Sequence, residues 1–217
     1  MTPLDLADYA RRLSVCRDCP RLAGFLDQVR SEQHGYFAAP VPPFGRGDAR
    51  LLIVGLAPGM HGANRTGRPF TGDYAGILLY ETLHRFGFAN RPISISADDG
   101  LELIDCLLTN AVKCLPPQNR PATDELWRCN RHLEGEMRTL PAVEVVLALG
   151  LIAHRAVVRA CGVKQAHANF AHGARHLLPG DRVLIDSYHC SRYNTNTGRL
   201  TEASFHAVFE AIRRELA

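Results

Sequence analysis

The chain has 217 residues, 46% of them hydrophobic and 22% charged, enough to bury one sizeable core and unlike the composition of a disordered protein. Its formal net charge is only +3, from 25 Lys and Arg against 22 Asp and Glu, so bulk charge alone neither demands nor forbids a nucleic-acid partner. No apolar run reaches the roughly 18 residues of a membrane span, and the N-terminal MTPLDLADYARRL contains acids in an amphipathic pattern where an export signal would be apolar. A soluble, intracellular protein with no membrane partner is expected.

Two helical patterns near the N-terminus precede a proline-rich connector at residues 39 to 44. Short uninterrupted apolar runs follow at Leu51 to Gly55, Ile104 to Val112, Val143 to Gly150 and Val183 to Ser187. Such runs suit parallel strands covered on both faces. Helical patterns lie between and after them, at about Gly76 to Phe86, Thr123 to Leu140, Leu151 to Cys161 and Thr201 to Leu216, with Thr123 as an expected N-cap. The alternation predicts a single domain over residues 1–217: a three-layer α/β/α sandwich around a mostly parallel four-stranded sheet. No internal repeat or interdomain linker interrupts it, and a monomer is expected.

In open α/β sheets ligands sit beyond the carboxyl ends of the strands, which here means the loops after residues 55, 112, 150 and 187. The first, GLAPGMHGANRTGRPFTGD (55–73), lacks both the GxxxxGK[ST] and GxGxxG phosphate-binding patterns. What it offers is a cavity wall for a flat polar ligand: Phe70 to stack on a ring, Asp73 to orient water, backbone N–H groups for carbonyl oxygens. The second, TNAVKCLPPQNRP (109–121), carries Asn110 and Asn119, whose amides present donor and acceptor side by side, as reading a base edge requires. The third, SYHCSRYNTNTGRLT (187–201), places His189 at a strand end among hydroxyls, amides and arginines suited to phosphate contacts. Each feature also has a plain structural reading, as a turn, a cap or a core plug.

Seven cysteines, an odd number, in a chain without an export signal argue against a disulfide framework. Cys16 and Cys19 form a CxxC, and Cys114 and Cys129 flank a proline-rich connector. Four thiolates can enclose either zinc or a [4Fe-4S] cluster, and spacing alone leaves that choice open. Cys106 and Cys161 read as packing residues. Cys190, beside His189, invites a nucleophile reading, but adjacent residues seldom bring their side chains together.

Taken together, the segments at 55–73, 109–121 and 189–201, with VCRDCPRL at 15–22, resemble the uracil-DNA glycosylase superfamily, most closely its family 5 (type b) members. The likeness spans almost the whole chain. It implies that Cys16, Cys19, Cys114 and Cys129 hold a structural [4Fe-4S] cluster, and that a deaminated base is flipped from DNA into a pocket for hydrolysis of its glycosidic bond. It further implies Phe70 as the platform under the base, Asn110 and Asn119 as base-edge readers, His189 near the base O2 and Asp73 as the nearby acid. Gly55 and Ala57 would bound the base, and Arg65, Ser191, Arg192 and Tyr193 would meet DNA, Arg192 or Tyr193 as a wedge.

Better-known families place a carboxylate or amide early in the first segment, as in GEGPG or GQDPY. Here Leu56 and Ala57 stand there, and neither can activate water. That departure, itself a family 5 trait, implies cleavage through an oxocarbenium-like sugar with charge stabilisation in a dry pocket, and tolerance of bases such as hypoxanthine. The resemblance leaves two rivals: a damage binder that does not excise, and a zinc-stabilised nucleotide or nucleoside hydrolase.

Overall fold

The structure is a computed structural model that describes residues 5–217; the first four residues of the N-terminal amphipathic pattern lie outside it. Helix α1 (Leu6–Ser14) starts where the Asp5 carboxylate accepts the Ala7 and Asp8 N–H groups at 3.0 Å, satisfying donors that the first helical turn leaves free. Helix α2 (Pro20–Glu32) has proline in its first position, where no N–H is needed. The chain then runs through β1 (Phe44–Gly45), β2 (Leu51–Gly55), a single turn α3 (Ala63–Thr66), α4 (Tyr74–Arg85) and β3 (Cys106–Asn110). It continues through α5 (Thr123–Thr139), β4 (Val145–Leu149), α6 (Leu151–Ala160), β5 (Arg175–Leu178), β6 (Arg182–Ser187), α7 (Arg192–Asn196) and α8 (Glu202–Glu215).

The sheet order is β1-β3-β2-β4-β6-β5. The four expected strands form its parallel centre, β3, β2, β4 and β6. Their side chains alternate between two cores because successive strand residues face opposite sides. Leu51 and Ile53 pack with α4 and α8, while Leu52 and Val54 pack with α5 and α6. This is the three-layer sandwich expected.

Two expectations need correction. The sheet has six strands, not four, because β1 and β5 add antiparallel edges. β1 is only two residues long, and β5 carries no apolar run, with Leu177 72% exposed; neither leaves a periodic signal. The N-cap of α5 is Ala122, not Thr123, which is the first helical residue. An alanine side chain cannot cap, and Glu125 does so from within the helix, accepting the Ala122 N–H at 2.7 Å while pairing with Arg21.

Register decides where the site forms. Gly55 lies opposite Asn110, and Leu149 opposite Ser187, so all four parallel strands end together and their following loops converge on one edge. A third small core lies beside that edge, where Leu22, Leu26 and Val29 of α2 meet Val112, Cys114, Leu115 and Cys129.

Between β3 and α5 runs a buried polar chain. Lys113, 1% exposed, places Nζ 2.7 Å from Glu136, and both meet Thr109; Tyr9 of α1 donates to the same Glu136 carboxylate at 2.9 Å. A buried pair of this kind contributes little net stability but is costly to break, because one partner is left as an uncompensated charge. Glu136→Leu alone is expected to lower unfolding stability by about 3–5 kcal/mol, whereas Lys113→Met with Glu136→Leu recovers most of that loss; urea titration of the three variants measures the difference.

Candidate active site

The converging loops enclose a cleft of about 670 Å³. Leu56, Ala57, Phe70 and Asp73 reach it from the loop after β2, Asn110 from the end of β3, and Asn119 from the connector to α5. Gly150 and Leu151 open α6 beside it, and Tyr188, His189, Ser191, Arg192 and Asn194 close it from the loop after β6. Segments spread over more than a hundred residues of the chain, from Leu56 to Arg199, thus supply one surface.

Phe70 is 5% exposed and forms the inner wall, with its ring centre 6.2 Å from that of His189. Its backbone sits at φ +55°, a left-handed conformation unfavourable for a bulky residue. Its neighbours hold it there. Tyr80 donates to the Pro69 carbonyl at 2.7 Å. The buried Arg68 pairs with Asp99 at 2.6 Å and lies over the Phe44 ring. Gly55 does not line the cleft as expected; it stands behind it. A β-carbon at Gly55 would lie 2.4 Å from both the Phe70 ring and the Asn110 Oδ1. Its role is to leave room for the wall.

Asp73 is the N-cap of α4, its Oδ1 accepting the Gly76 N–H at 2.9 Å. The other oxygen faces the first loop, where a β-carbon on Gly62 would fall 2.5 Å from it. Burial raises the Asp73 pKa above the ordinary carboxylate value, and the cap hydrogen bonds only partly offset that rise. Asp73 is the only acidic side chain lining the cleft among the described residues.

His189 answers it from across the cleft. Burial lowers its pKa to about 4, so at neutral pH it is an uncharged imidazole that can donate one N–H but carries no positive charge. Its Nδ1 is buried without a hydrogen-bond partner. The adjacent Cys190 is buried, and burial pushes its thiol up to about 12, which excludes a thiolate nucleophile near pH 7.

The rim is cationic and aromatic. Ser191 caps the short α7 by accepting the Asn194 N–H, and Asn194 in turn donates to the His189 carbonyl at 2.8 Å. Arg192 lies 4.9 Å over the Tyr74 ring, and Arg199 lies 4.4 Å over Tyr188. Tyr193 is 71% exposed on the outer face of α7 and does not line the cleft. Nor does Arg65, whose Nε is tied to the His61 carbonyl at 2.7 Å.

Sequence reasoning missed Phe170, Tyr74 and Asn194 as cleft residues. Phe170 sits in an irregular segment before an edge strand, with no periodicity to mark it. Asn194 was visible within a polar segment, but only the cap geometry of α7 singles it out from Asn196.

Apart from the cleft, Cys16, Cys19, Cys114 and Cys129 line one small cavity beneath α2. None is in a disulfide. Burial raises the pKa of Cys114, and the other three sulfurs push it further; burial likewise drives Cys129 up to about 11 despite an N–H donated to its Sγ by Lys113 at 3.3 Å. The four sulfurs line one cavity, where the other three disfavour ionisation of Cys114, so a cation that took up thiolate charge there would suit the donor set, as in a tetrathiolate metal centre or cluster. Cys106 is buried in β3 and Cys161 is half-buried at the end of α6, both as packing residues.

A carboxylate whose folded pKa is raised favours protonation on folding, so it costs stability once pH rises above the unfolded value. Asp73→Asn keeps an N-cap acceptor and removes that cost. The variant is expected to be more stable than the wild type at pH 7, with the gap closing as pH falls toward the ordinary carboxylate pKa; urea denaturation at pH 4 and pH 7 measures it.

Comparison with known proteins agrees with this geometry. The family model described as the uracil DNA glycosylase superfamily matches residues 42–213. A type-5 uracil-DNA glycosylase of Thermus thermophilus is 45% identical over 216 residues, 97% of this chain and 98% of its own. Those of Pyrobaculum aerophilum and Mycobacterium leprae are each 42% identical, covering 97% and 94% of this chain and 92% of theirs. With its three loops, single carboxylate and neutral histidine gathered at the carboxyl edge of the sheet, the chain belongs to the uracil DNA glycosylase superfamily, within its type-5 group.

Proposed function

We propose that this chain excises uracil, and other deaminated bases such as hypoxanthine, from DNA by hydrolysing the N-glycosidic bond and leaving an abasic site. The observation that carries this reading is the pairing, across one cleft, of a single buried carboxylate on Asp73 with the uncharged imidazole of His189.

The base leaves the stack because its glycosidic bond is out of reach within the duplex. It lies on Phe70, with the amides of Asn110 and Asn119 at its polar edge. As the bond lengthens, negative charge gathers on the base and positive charge on the sugar. The neutral His189 donates a hydrogen bond to an acceptor of the departing base, O2 where the base is uracil and a ring nitrogen where it is hypoxanthine, and backbone N–H groups of the first loop add to it. Asp73 orients the attacking water and stabilises the sugar cation. Leu56 and Ala57 line the cleft without a polar group, which supports two features of the reading: a dry pocket in which fixed dipoles act strongly, and no side chain to reject bases other than uracil.

Ser191 and Arg192 at the mouth of the cleft and the loop around Arg65 outside it grip phosphates, while the exposed Tyr193 fills the space the base vacates. The four cysteines hold a [4Fe-4S] cluster that serves as a structural tie between α2, the connector after β3, and α5. When bound it supplies cross-linking, and no step of base removal passes through it.

Single-turnover cleavage of duplexes carrying uracil or hypoxanthine, read after alkaline strand scission, tests this reading. Wild-type protein is expected to cleave both, and Asp73→Asn and His189→Ala to lose about 10²–10⁴ in rate. Binding of damaged duplex without cleavage would instead support the non-excising binder. Because only the ionised Asp73 acts, the wild-type rate is expected to rise with pH through its raised pKa, with no separate inflection from His189 between pH 5 and 8. Arg192→Ala is expected to weaken binding to every sequence alike and to flatten the slope of log affinity against log salt by about 1.

A further inference from the structure

Behind the wall opposite Phe70 lies a buried polar cluster that takes no direct part in the chemistry above. His154 of α6 is 1% exposed, and Asp186 of β6 is fully buried. The Nδ1 of His154 lies 2.8 Å from Asp186 Oδ1, and its Nε2 lies 2.8 Å from the Ala168 carbonyl. The second Asp186 oxygen lies 3.1 Å from Nε2 of His176 on β5.

A carbonyl can only accept a hydrogen bond, and an ionised carboxylate likewise. A neutral imidazole has one N–H to give and would leave one of these two acceptors, in a site buried from solvent, facing a lone pair. Protonation satisfies both and places a positive charge against the carboxylate. Consistently, burial acts to lower the His154 pKa, yet the bond to Asp186 and the charge of Asp186 outweigh it and the net shift is upward.

What the cluster holds is the irregular segment between α6 and β5. Ala168, 4% exposed, is its buried anchor. Two residues later Phe170 lines the cleft, packed edge-on to the His154 ring at 5.6 Å and 6.1 Å from Tyr188. Beyond it, His172 stacks on Tyr188 at 5.0 Å and accepts the Tyr188 N–H at 3.2 Å. The Ala168 carbonyl thus ties the start of this segment to His154, and the Gly173 N–H, donated to the Asp186 carbonyl at 2.8 Å, ties its far end.

We infer that His154 is a positioning residue held as an imidazolium, a latch that joins the Ala168 carbonyl to Asp186 and so sets the Phe170 and Tyr188 side of the base cleft. This rests on the glycosylase reading only for its effect on base removal; the protonation state stands apart from it. Around the latch the charged and titratable groups are Asp186 from β6, His176 from β5 and Arg155 from its own helix, while the loop contributes only the Ala168 carbonyl and the Phe170 ring.

Nitrogen-15 NMR of histidine-labelled wild-type protein at pH 7.5 decides the protonation state: both His154 nitrogens are expected to be protonated, and a bare ring nitrogen would overturn the latch. His154→Gln offers only one donor group. It is expected to slow single-turnover uracil excision about tenfold to a hundredfold, the cost of a misplaced wall, with duplex affinity and its salt dependence unchanged. Wild-type excision should fall on the alkaline side as His154 loses its proton, because a raised folded pKa confines the latch to lower pH; His154→Gln should lack that limb. Equal wild-type and variant rates and pH profiles would sink the positioning role while leaving the glycosylase reading intact. A wild type that cleaves nothing would sink the glycosylase reading, with the NMR result still deciding the latch. Should His154→Gln not fold, Asp186→Asn provides the second variant, with the same expected split between rate and affinity.

Discussion

The seat of Phe70 is the constraint on which the rest of the cleft depends. An aromatic ring is pressed against the end of β2, and only the missing β-carbon of Gly55 lets both that ring and the Asn110 amide occupy the space. The chain accepts a left-handed backbone at Phe70 to achieve this, an arrangement that persists only when its surroundings over-determine it. The Arg68–Asp99 pair, buried at 5% and 6% side-chain exposure, and the Tyr80 hydroxyl supply that determination. Burial alone would raise the Asp99 pKa, but the Arg68 guanidinium and three backbone N–H groups hold it well below the usual carboxylate range.

From that seat the electrostatics of the cleft follow. Burial at this edge leaves Asp73 and His189 with pKa values moved in opposite directions, the carboxylate up and the imidazole down. The same desolvation acts on both, because burial disfavours whichever form is charged. Its chemical outcome is a weakly solvated anion facing a neutral hydrogen-bond donor. That combination suits a reaction in which charge separates briefly between a sugar and its leaving base.

Away from the cleft, buried polar pairs tie loops to the body of the fold. Lys113 and Glu136 stand between the end of β3 and α5, next to the cysteine cavity. His154 and Asp186 stand behind the opposite wall. Each pair joins elements distant in sequence near the carboxyl edge of the sheet. Buried pairs add little net stability, but a broken one is costly, and this penalises misplacement of the loops they join.

The parallel strands and the main helices were legible in the sequence because unbroken apolar runs and 3.6-residue periodicities are local consequences of burial. The same holds for the loops at strand ends, and the family likeness rests on long motifs in them. Phe70, Asp73, Asn110, Asn119 and His189 could accordingly be named from sequence, and the structure brings them to one cleft. What sequence could not reach depends on contacts between distant segments. The two edge strands are defined by their partners rather than by their own residues. Gly55 changed from a contact to a spacer, and Phe170 entered the cleft from a stretch without pattern. Protonation states belong to the same class: the sequence determined which titratable groups exist, but only tertiary burial and opposing partners decided that His189 is neutral and that His154 faces two acceptors, since desolvation and hydrogen bonding are properties of the folded surroundings.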